Sequence, residues 1–295
     1  MLATTPLIQL LQPIILPQLQ AQHLQVHILR LDMVHPTVHG NKWYKLKHQI
    51  ARAKALGCTT VATYGGVWSN HIHATAAACA AVGLASIGYI RSNEQLTTAT
   101  LQDAQAMGMQ LEYISRASYK QYKHTVGVQA NNKQVYYIAE GGTSNYGVLG
   151  AADILRFNNA TTYSHILCPV GTGITLAGIV QSSAPHQQVI GINALKGGSM
   201  QVPTIQAYTG CTNYTISNAY HYGGFAKYDT TLIAIMNAFY LLTGIPTDVV
   251  YTGKMVAACI DMIEKKHFAP HSNILLIHTG GLQGNRSVPN GLLQF

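Results

Sequence analysis

Residues 24 to 33 (LQVHILRLDM) alternate apolar and polar side chains, the two-residue period of a strand with one buried face, until His35-Pro36 breaks the run. The period then lengthens. From 42 to 56, Leu46, Ile50, Ala53 and Leu56 recur at helical spacing, and Gly57 supplies a C-terminal stop. Residues 59 to 63 predict a short strand that delivers the chain to Tyr64-Gly-Gly-Val-Trp-Ser-Asn-His71, after which an alanine-rich helix runs to Gly83. A strand over 85 to 90, a polar stretch over 91 to 98, a helix closing near Gly108 and a strand over 110 to 114 follow. The basic, tyrosine-rich residues 116 to 134 read as an irregular or helical excursion, and 135 to 139 as a strand entering Glu140-Gly-Gly-Thr-Ser144 and a helix that ends about Arg156.

The most regular unit is the strand 165 to 169, the turn Val170-Gly-Thr-Gly-Ile174 and the helix 175 to 181. Residues 189 to 194 predict a strand, 208 to 229 a long loop, 230 to 243 and 253 to 266 helices, and 273 to 277 a last strand ending in His278-Thr-Gly-Gly281. Residues 1 to 22, with Pro6, Pro13 and Pro17 among apolar residues, read as an extended arm packed on the body. Strand, turn and helix in succession predict an α/β protein with mostly parallel sheets flanked by helices.

Composition narrows this little. At 295 residues the chain has room for two lobes, and with 48% hydrophobic and 9% charged residues it is globular. The net charge of +8 comes from 10 acidic against 18 basic residues, with no basic run beyond a pair. That argues against nucleic acid as a partner and for a field that favours anionic ligands. Five dispersed cysteines without a C-x-x-C pair argue for reduced thiols in a cytoplasmic protein. No apolar run approaches membrane-span length and no signal peptide is visible, so a soluble, unexported protein is expected.

Five glycine-bearing turns lie at element ends, where ligands of parallel sheets collect. Lys42 follows Gly-Asn at the mouth of a helix, a place where an amine can meet a carbonyl. Gly171-Thr-Gly-Ile-Thr175 joins a strand to a helix and can surround a phosphate with backbone N–H groups. It completes neither a phosphate-binding P-loop nor a dinucleotide fingerprint, because no Gly-Lys follows and Asn193 stands where an acidic residue is needed. Ser69-Asn70 caps the alanine-rich helix and leaves N–H groups for a carboxylate. His71 and His73 have no third ligand beside them, so no metal site is expected.

The motifs Gly40-Asn-Lys-Trp-Tyr-Lys-Leu46, Gly65-Gly-Val-Trp-Ser-Asn-His71, Glu140-Gly-Gly142, Gly171-Thr-Gly-Ile-Thr-Leu-Ala-Gly178, Tyr251-Thr-Gly-Lys254 and His278-Thr-Gly-Gly281 resemble, in this order, the D-cysteine desulfhydrase and 1-aminocyclopropane-1-carboxylate (ACC) deaminase family. These are pyridoxal 5′-phosphate (PLP) enzymes of fold type II, the tryptophan synthase β-like group. The resemblance covers residues 35 to 282. It implies a small domain over 45 to 152, a large one over 1 to 44 and 153 to 295, PLP in the cleft and a homodimer. It further implies that Lys42 forms the internal aldimine and then moves protons at the substrate carbon. Lys45 with Thr172, Gly173, Ile174 and Thr175 would hold the phosphate, and Asn70 the 3′-oxygen of the ring. Ser69, Asn70 and His71 would meet the substrate carboxylate, Tyr251 would lie on the ring face, and Thr252 and Thr279 near the ring nitrogen.

True ACC deaminases resemble one another in having Glu after the tyrosine and Leu in the His-x-Gly-Gly turn. Thr252 and Thr279 instead look like the desulfhydrase side, whose expected reaction is β-elimination from a small amino acid to pyruvate, ammonia and sulfide. Tyr44 stands where the family has arginine, and Phe225, in Gly223-Gly-Phe-Ala226, where a substrate-side tyrosine is frequent. ACC deamination, and PLP binding with little turnover, are the alternative readings.

Overall fold

The computed structural model describes residues 6–16, 19, 22–197 and 201–295. Of the expected arm, the remaining residues lie outside that description. Its described part forms a strand, Leu11–Ile14 (β1), antiparallel to Gln25–Arg30 (β2). The alternation beyond Arg30 does not continue as strand, because Leu31–Met33 closes a 3-10 turn in which the Leu31 carbonyl accepts from Val34 and Gly40. Asn41–Ala55 (α1) follows.

The next strands are Thr60–Gly65 (β3), Ala85–Arg91 (β4), Met109–Ile114 (β5), Gly127–Gln129 (β6) and Asn132–Ile138 (β7), in the order β5-β4-β3-β7-β6. All pairs are parallel except β6 with β7. Between them run Asn70–Ala80 (α2), Ala99–Ala106 (α3) and Arg116–Tyr122 (α4). The stretch 116 to 134 is therefore a helix followed by a hairpin; Gln129 pairs with Asn132, so the connection is too short to show in a pattern of apolar residues.

Asn145–Ala152 (α5) leads to the second sheet, in which His165–Val170 (β8), Gln188–Asn193 (β9), Tyr214–Ser217 (β10) and Asn273–His278 (β11) join the first two strands in the order β1-β2-β11-β8-β9-β10. Ile174–Ser182 (α6), Gln201–Tyr208 (α7), Thr230–Thr243 (α8) and Thr252–Glu264 (α9) flank it. Strands β8 and β11 are buried almost throughout, as parallel strands covered on both faces must be. The expected loop 208 to 229 contains β10, an edge strand parallel to β9. Its polar sequence, Tyr-Thr-Ile-Ser, suits an edge and hides it from a search for apolar runs. Helix α7 was not anticipated; Pro203, a helix breaker at most positions, stands in its first turn, where a missing N–H costs nothing.

Candidate active site

Strands β2 and β11 are parallel neighbours, so the turns that leave their C-terminal ends emerge side by side. The contact is backbone to backbone. Asn41 N donates to the Thr279 carbonyl at 3.1 Å, and a Cβ placed on Gly40, at φ +70°, would stand 2.0 Å from that oxygen. Only glycine fits there, and it sets the first turn of α1, with Lys42, over the end of the sheet. Lys42 Nζ donates to Asn41 Oδ1 at 3.0 Å, and Asn41 Nδ2 donates to Thr175 Oγ1 at 2.7 Å. Burial lowers the Lys42 pKa from 10.5 to about 8, against the opposing pull of Asp248. One turn on, Lys45 is buried and donates to the Gly141 carbonyl at 2.7 Å; burial and the charge of Lys42 hold its pKa well below the usual lysine range.

Strand β8 ends in Gly171-Thr-Gly173, and Gly173, at φ +87°, opens α6. Helices α2, α3, α4, α5 and α8 each have a side chain accepting from the first turn: Ser69, Thr98, Ser115, Ser144 and Asp229. Helix α6 has none. Its first N–H groups, at Ile174 and beyond, have no side-chain acceptor and could receive an anion at the positive end of the helix dipole, with Lys42 linked to this turn through Asn41. Gly171 lies against Tyr251: a Cβ there would be 2.9 Å from the phenol oxygen. Thr172 packs its methyl against Gly141, where a Cβ would stand 2.8 Å away. The lysine, phosphate and Glu140-Gly-Gly142 turns thus form one continuous wall.

The start of α2 reaches the turn after β11, where a Cβ on Gly281 would stand 2.9 Å from Asn70 Nδ2. Ser69 Oγ accepts from His71 N at 3.2 Å and Ile72 N at 3.3 Å, so its own proton is free for a ligand. Asn70 is held by Gln283, whose amide donates to Asn70 Oδ1. The His71 imidazole is buried and turned inward, with Nε2 2.8 Å from the Thr63 hydroxyl, which in turn donates to the Ile138 carbonyl. Burial and the two lysines keep it neutral. The His71 ring is therefore turned away from the carboxylate side, and its backbone N–H is taken by Ser69 Oγ.

Asp248 joins the set. Its carboxylate accepts from the N–H groups of Val250, Tyr251 and Thr252 and from the Thr252 hydroxyl, at 2.7 to 3.0 Å, which caps α9. The Thr252 oxygen also accepts from Asp248 N at 2.7 Å, so its proton and one lone pair are committed inside the protein. In this arrangement the Thr252 hydroxyl, expected near the ring nitrogen, is turned to Asp248. Burial, with Asp248 and Glu140 adding to it, raises the Tyr251 pKa and keeps the phenol protonated. Phe225 meets Tyr251 edge to face, ring centres 6.2 Å apart, and is 54% exposed, at the mouth of the site. Lys254 is fully buried and donates to the carbonyls of His221 at 2.8 Å, Gly224 at 2.7 Å and Ala194 at 3.4 Å, which fixes the loop that carries Phe225.

Asn41, Asp248, Lys254 and Gln283 received no role from the sequence. Asn41 and Lys254 lie inside motifs quoted above, and Asp248 carries a legible signal, an Asx residue just before a helix. Gln283 carries none, since its partner lies 213 positions away. Among the described residues, no group of three or more His, Cys, Asp or Glu side chains could hold a metal, and no helix is long and apolar enough to cross a membrane.

A lysine of lowered pKa, an uncapped helix end and a hydroxyl-capped helix, all at the carboxyl ends of two mostly parallel sheets, suit an enzyme that would anchor a phosphorylated carbonyl compound through lysine. Residues 3–280 match the family of pyridoxal-phosphate dependent enzymes, and the chain belongs to that family. A Thermotoga maritima protein provisionally named as an ACC deaminase is 27% identical over 282 residues, covering 88% of this chain and 89% of its own. A D-cysteine desulfhydrase from Yersinia enterocolitica is 25% identical over 285 residues, covering 87% and 86%. The crystal structure of an ACC deaminase homologue superimposes with a TM-score of 0.81, at 24% identity, over 96% of this chain and 92% of that one. The fold is thus of type II, and the cofactor of the chain is PLP. The donor set fits it: Lys42 for the aldehyde, the α6 end for the phosphate, and glycines at 171 and 281 where a Cβ would push against Tyr251 and Asn70, the side chains expected to meet the ring.

Proposed function

We propose that the protein is a lyase that removes the β-substituent of D-cysteine, or of a related small β-substituted amino acid, consuming water and giving pyruvate, ammonia and sulfide. The observation that carries this reading is the saturation of Asp248. Its oxygens are taken by Val250, Tyr251 and Thr252, so the carboxylate nearest this wall offers no free oxygen to protonate the ring nitrogen. With the Thr252 proton given to Asp248, Thr279 is the hydroxyl left for that place. A weakly protonated ring suffices to expel a good leaving group such as thiolate and is poorly suited to open a cyclopropane. The names of the Yersinia relative and of the Thermotoga relative point to both chemistries; the saturated Asp248 and the Thr279 hydroxyl favour the first.

PLP, when bound, supplies the aldehyde carbon and a ring that draws electron density from the substrate carbon. Lys42, with its pKa near 8, holds the cofactor and afterwards takes the proton from that carbon. The α6 end with Thr172, Gly173, Ile174, Thr175 and Lys45 seats the phosphate. Asn70 donates to the ring oxygen. The Ser69 proton and the Asn70 N–H, at the positive end of the α2 dipole, orient the substrate carboxylate, and the protonated Tyr251 phenol stands ready to move a proton at the leaving group. Phe225 sits where substrate enters. We assign residues 45–152 to the small lobe and 1–44 with 153–295 to the large one, and infer a cytoplasmic homodimer.

The test is a comparison of sulfide and pyruvate release from D-cysteine with 2-oxobutyrate release from ACC, with Lys42→Ala as the blank. Faster sulfide release is expected. Keto acid from ACC alone would replace this reading with deamination, and no keto acid from either, in a protein that binds PLP, would leave a binding protein with little turnover.

A further inference from the structure

Asn70 can present either end of its amide to a ligand, and its two ends have opposite character: Nδ2 donates, Oδ1 accepts. Nothing on α2 itself selects between them. The selection comes from the segment after β11. Arg286 is held by Asp103 of α3, and its NH2 lies 3.4 Å from Gln283 Oε1. A guanidinium has donors and no acceptor, so it faces only the oxygen end of Gln283. The buried Thr100 hydroxyl donates to the same oxygen at 2.6 Å. The nitrogen end of Gln283 is thereby turned to Asn70 and donates to Oδ1, and Asn70 Nδ2 is left on the side of Gly281, where a Cβ would stand 2.9 Å from it.

We infer that Arg286 and Gln283 are positioning residues that fix the polarity of the Asn70 amide, so that the site meets its ligand with an N–H rather than a carbonyl. The relay rests on the reading above that Asn70 faces the cofactor's ring oxygen. That oxygen carries negative charge when the ring is bound to lysine, and a donor stabilises it while an acceptor repels it. The relay also spans elements far apart in sequence: Thr100 and Asp103 lie on α3, Asn70 on α2, and Gln283 and Arg286 follow β11. The donor is thus correctly aimed only when these elements are docked.

The experiment compares Gln283→Glu, Gln283→Met, Arg286→Met and Asn70→Asp with the unaltered chain, reading the dissociation constant for PLP by absorbance titration and the spectrum of the bound cofactor. Glutamate at 283 can only accept, so it draws Asn70 Nδ2 to itself and turns Oδ1 to the ring. Gln283→Glu should weaken PLP binding by about ten- to a hundredfold and reproduce the spectrum of Asn70→Asp, while Gln283→Met and Arg286→Met, which merely release the amide, should weaken it less. Equal constants for Gln283→Glu and Gln283→Met, or an unaltered constant and spectrum in Gln283→Glu alongside a changed Asn70→Asp, would overturn the relay and leave the Asn70 contact standing. No change in Asn70→Asp would remove both. Arg286 is exposed, so its variant folds even if a substitution at 283 does not, and wild-type binding by Arg286→Met together with an unfolded Gln283→Glu would also count against the relay.

Discussion

Asn41 stands between Lys42 and Thr175, accepting from the lysine ammonium at 3.0 Å through Oδ1 and donating to the threonine hydroxyl at 2.7 Å through Nδ2. One amide therefore couples the imine-forming lysine to the phosphate turn. Asn41→Asp places a second acceptor against Thr175 and a negative charge beside the phosphate seat. It should raise the Lys42 pKa and weaken PLP binding by about ten- to a hundredfold, whereas Asn41→Ala should cost about 1–3 kcal/mol in stability and a smaller factor in binding. Titration of the apo variants with PLP and thermal melts separate the two. Binding by Asn41→Asp at the wild-type level would show that the phosphate does not sit at this turn.

The lowered Lys42 pKa has a sign that can be measured. Between about 8 and 10.5 the unfolded chain holds this proton and the folded chain does not, so the stability of the apo protein rises with pH across that window. Lys254, lowered by burial from 10.5 to about 8, acts in the same direction. For cofactor capture the neutral amine is the nucleophile, and the rate of PLP uptake should climb about tenfold per pH unit below the pKa and level above it. Removing the opposing charge with Asp248→Asn should move the shoulder to lower pH. Stopped-flow absorbance gives the profile; a rate independent of pH would mean that Lys42 is already neutral or is not the group that reacts.

Much of this site was legible because its turns are short and local. Gly40-Asn-Lys42, Gly171-Thr-Gly173 and Ser69-Asn70 each declare their chemistry within a few residues, and the order of strands and helices places them at one end of the sheets. What escaped was long-range or silent in pattern. The polar edge strand β10 lies within a stretch that reads as loop, and Gln283 acquires its role from Thr100 and Asn70, brought together only by folding. Thr252 shows the converse. Its motif was readable, but its proton is consumed by Asp248 four residues earlier, a local hydrogen bond that residue type alone does not reveal.

Gly40 is the steric key to the lysine turn. Its φ of +70° and the 2.0 Å approach of a Cβ to the Thr279 carbonyl leave alanine no way to fit without separating the two turns. Gly40→Ala should cost about 2–4 kcal/mol and shift Lys42 off the phosphate wall. A variant with an unchanged melting temperature and full PLP absorbance would contradict the backbone contact between these turns.

Lys254 holds the mouth of the site from beneath. Its ammonium satisfies three carbonyls, of His221, Gly224 and Ala194, and Phe225 follows directly on one of them. Lys254→Met keeps the apolar stem and removes the donors, leaving the Ala194 carbonyl without its ammonium partner and those of His221 and Gly224 with only the N–H groups of Gly224 and Lys227, at a cost of about 1–3 kcal/mol if they stay buried. The cheaper response is for the 221–225 loop to lift toward water, carrying Phe225 away from Tyr251. The expected result is a protein that binds PLP normally, because no cofactor contact is touched, but shows a KM for amino-acid substrate raised several-fold with a smaller change in kcat. A variant that loses cofactor and activity together would mean that Lys254 supports the α9 end of the site rather than the substrate mouth.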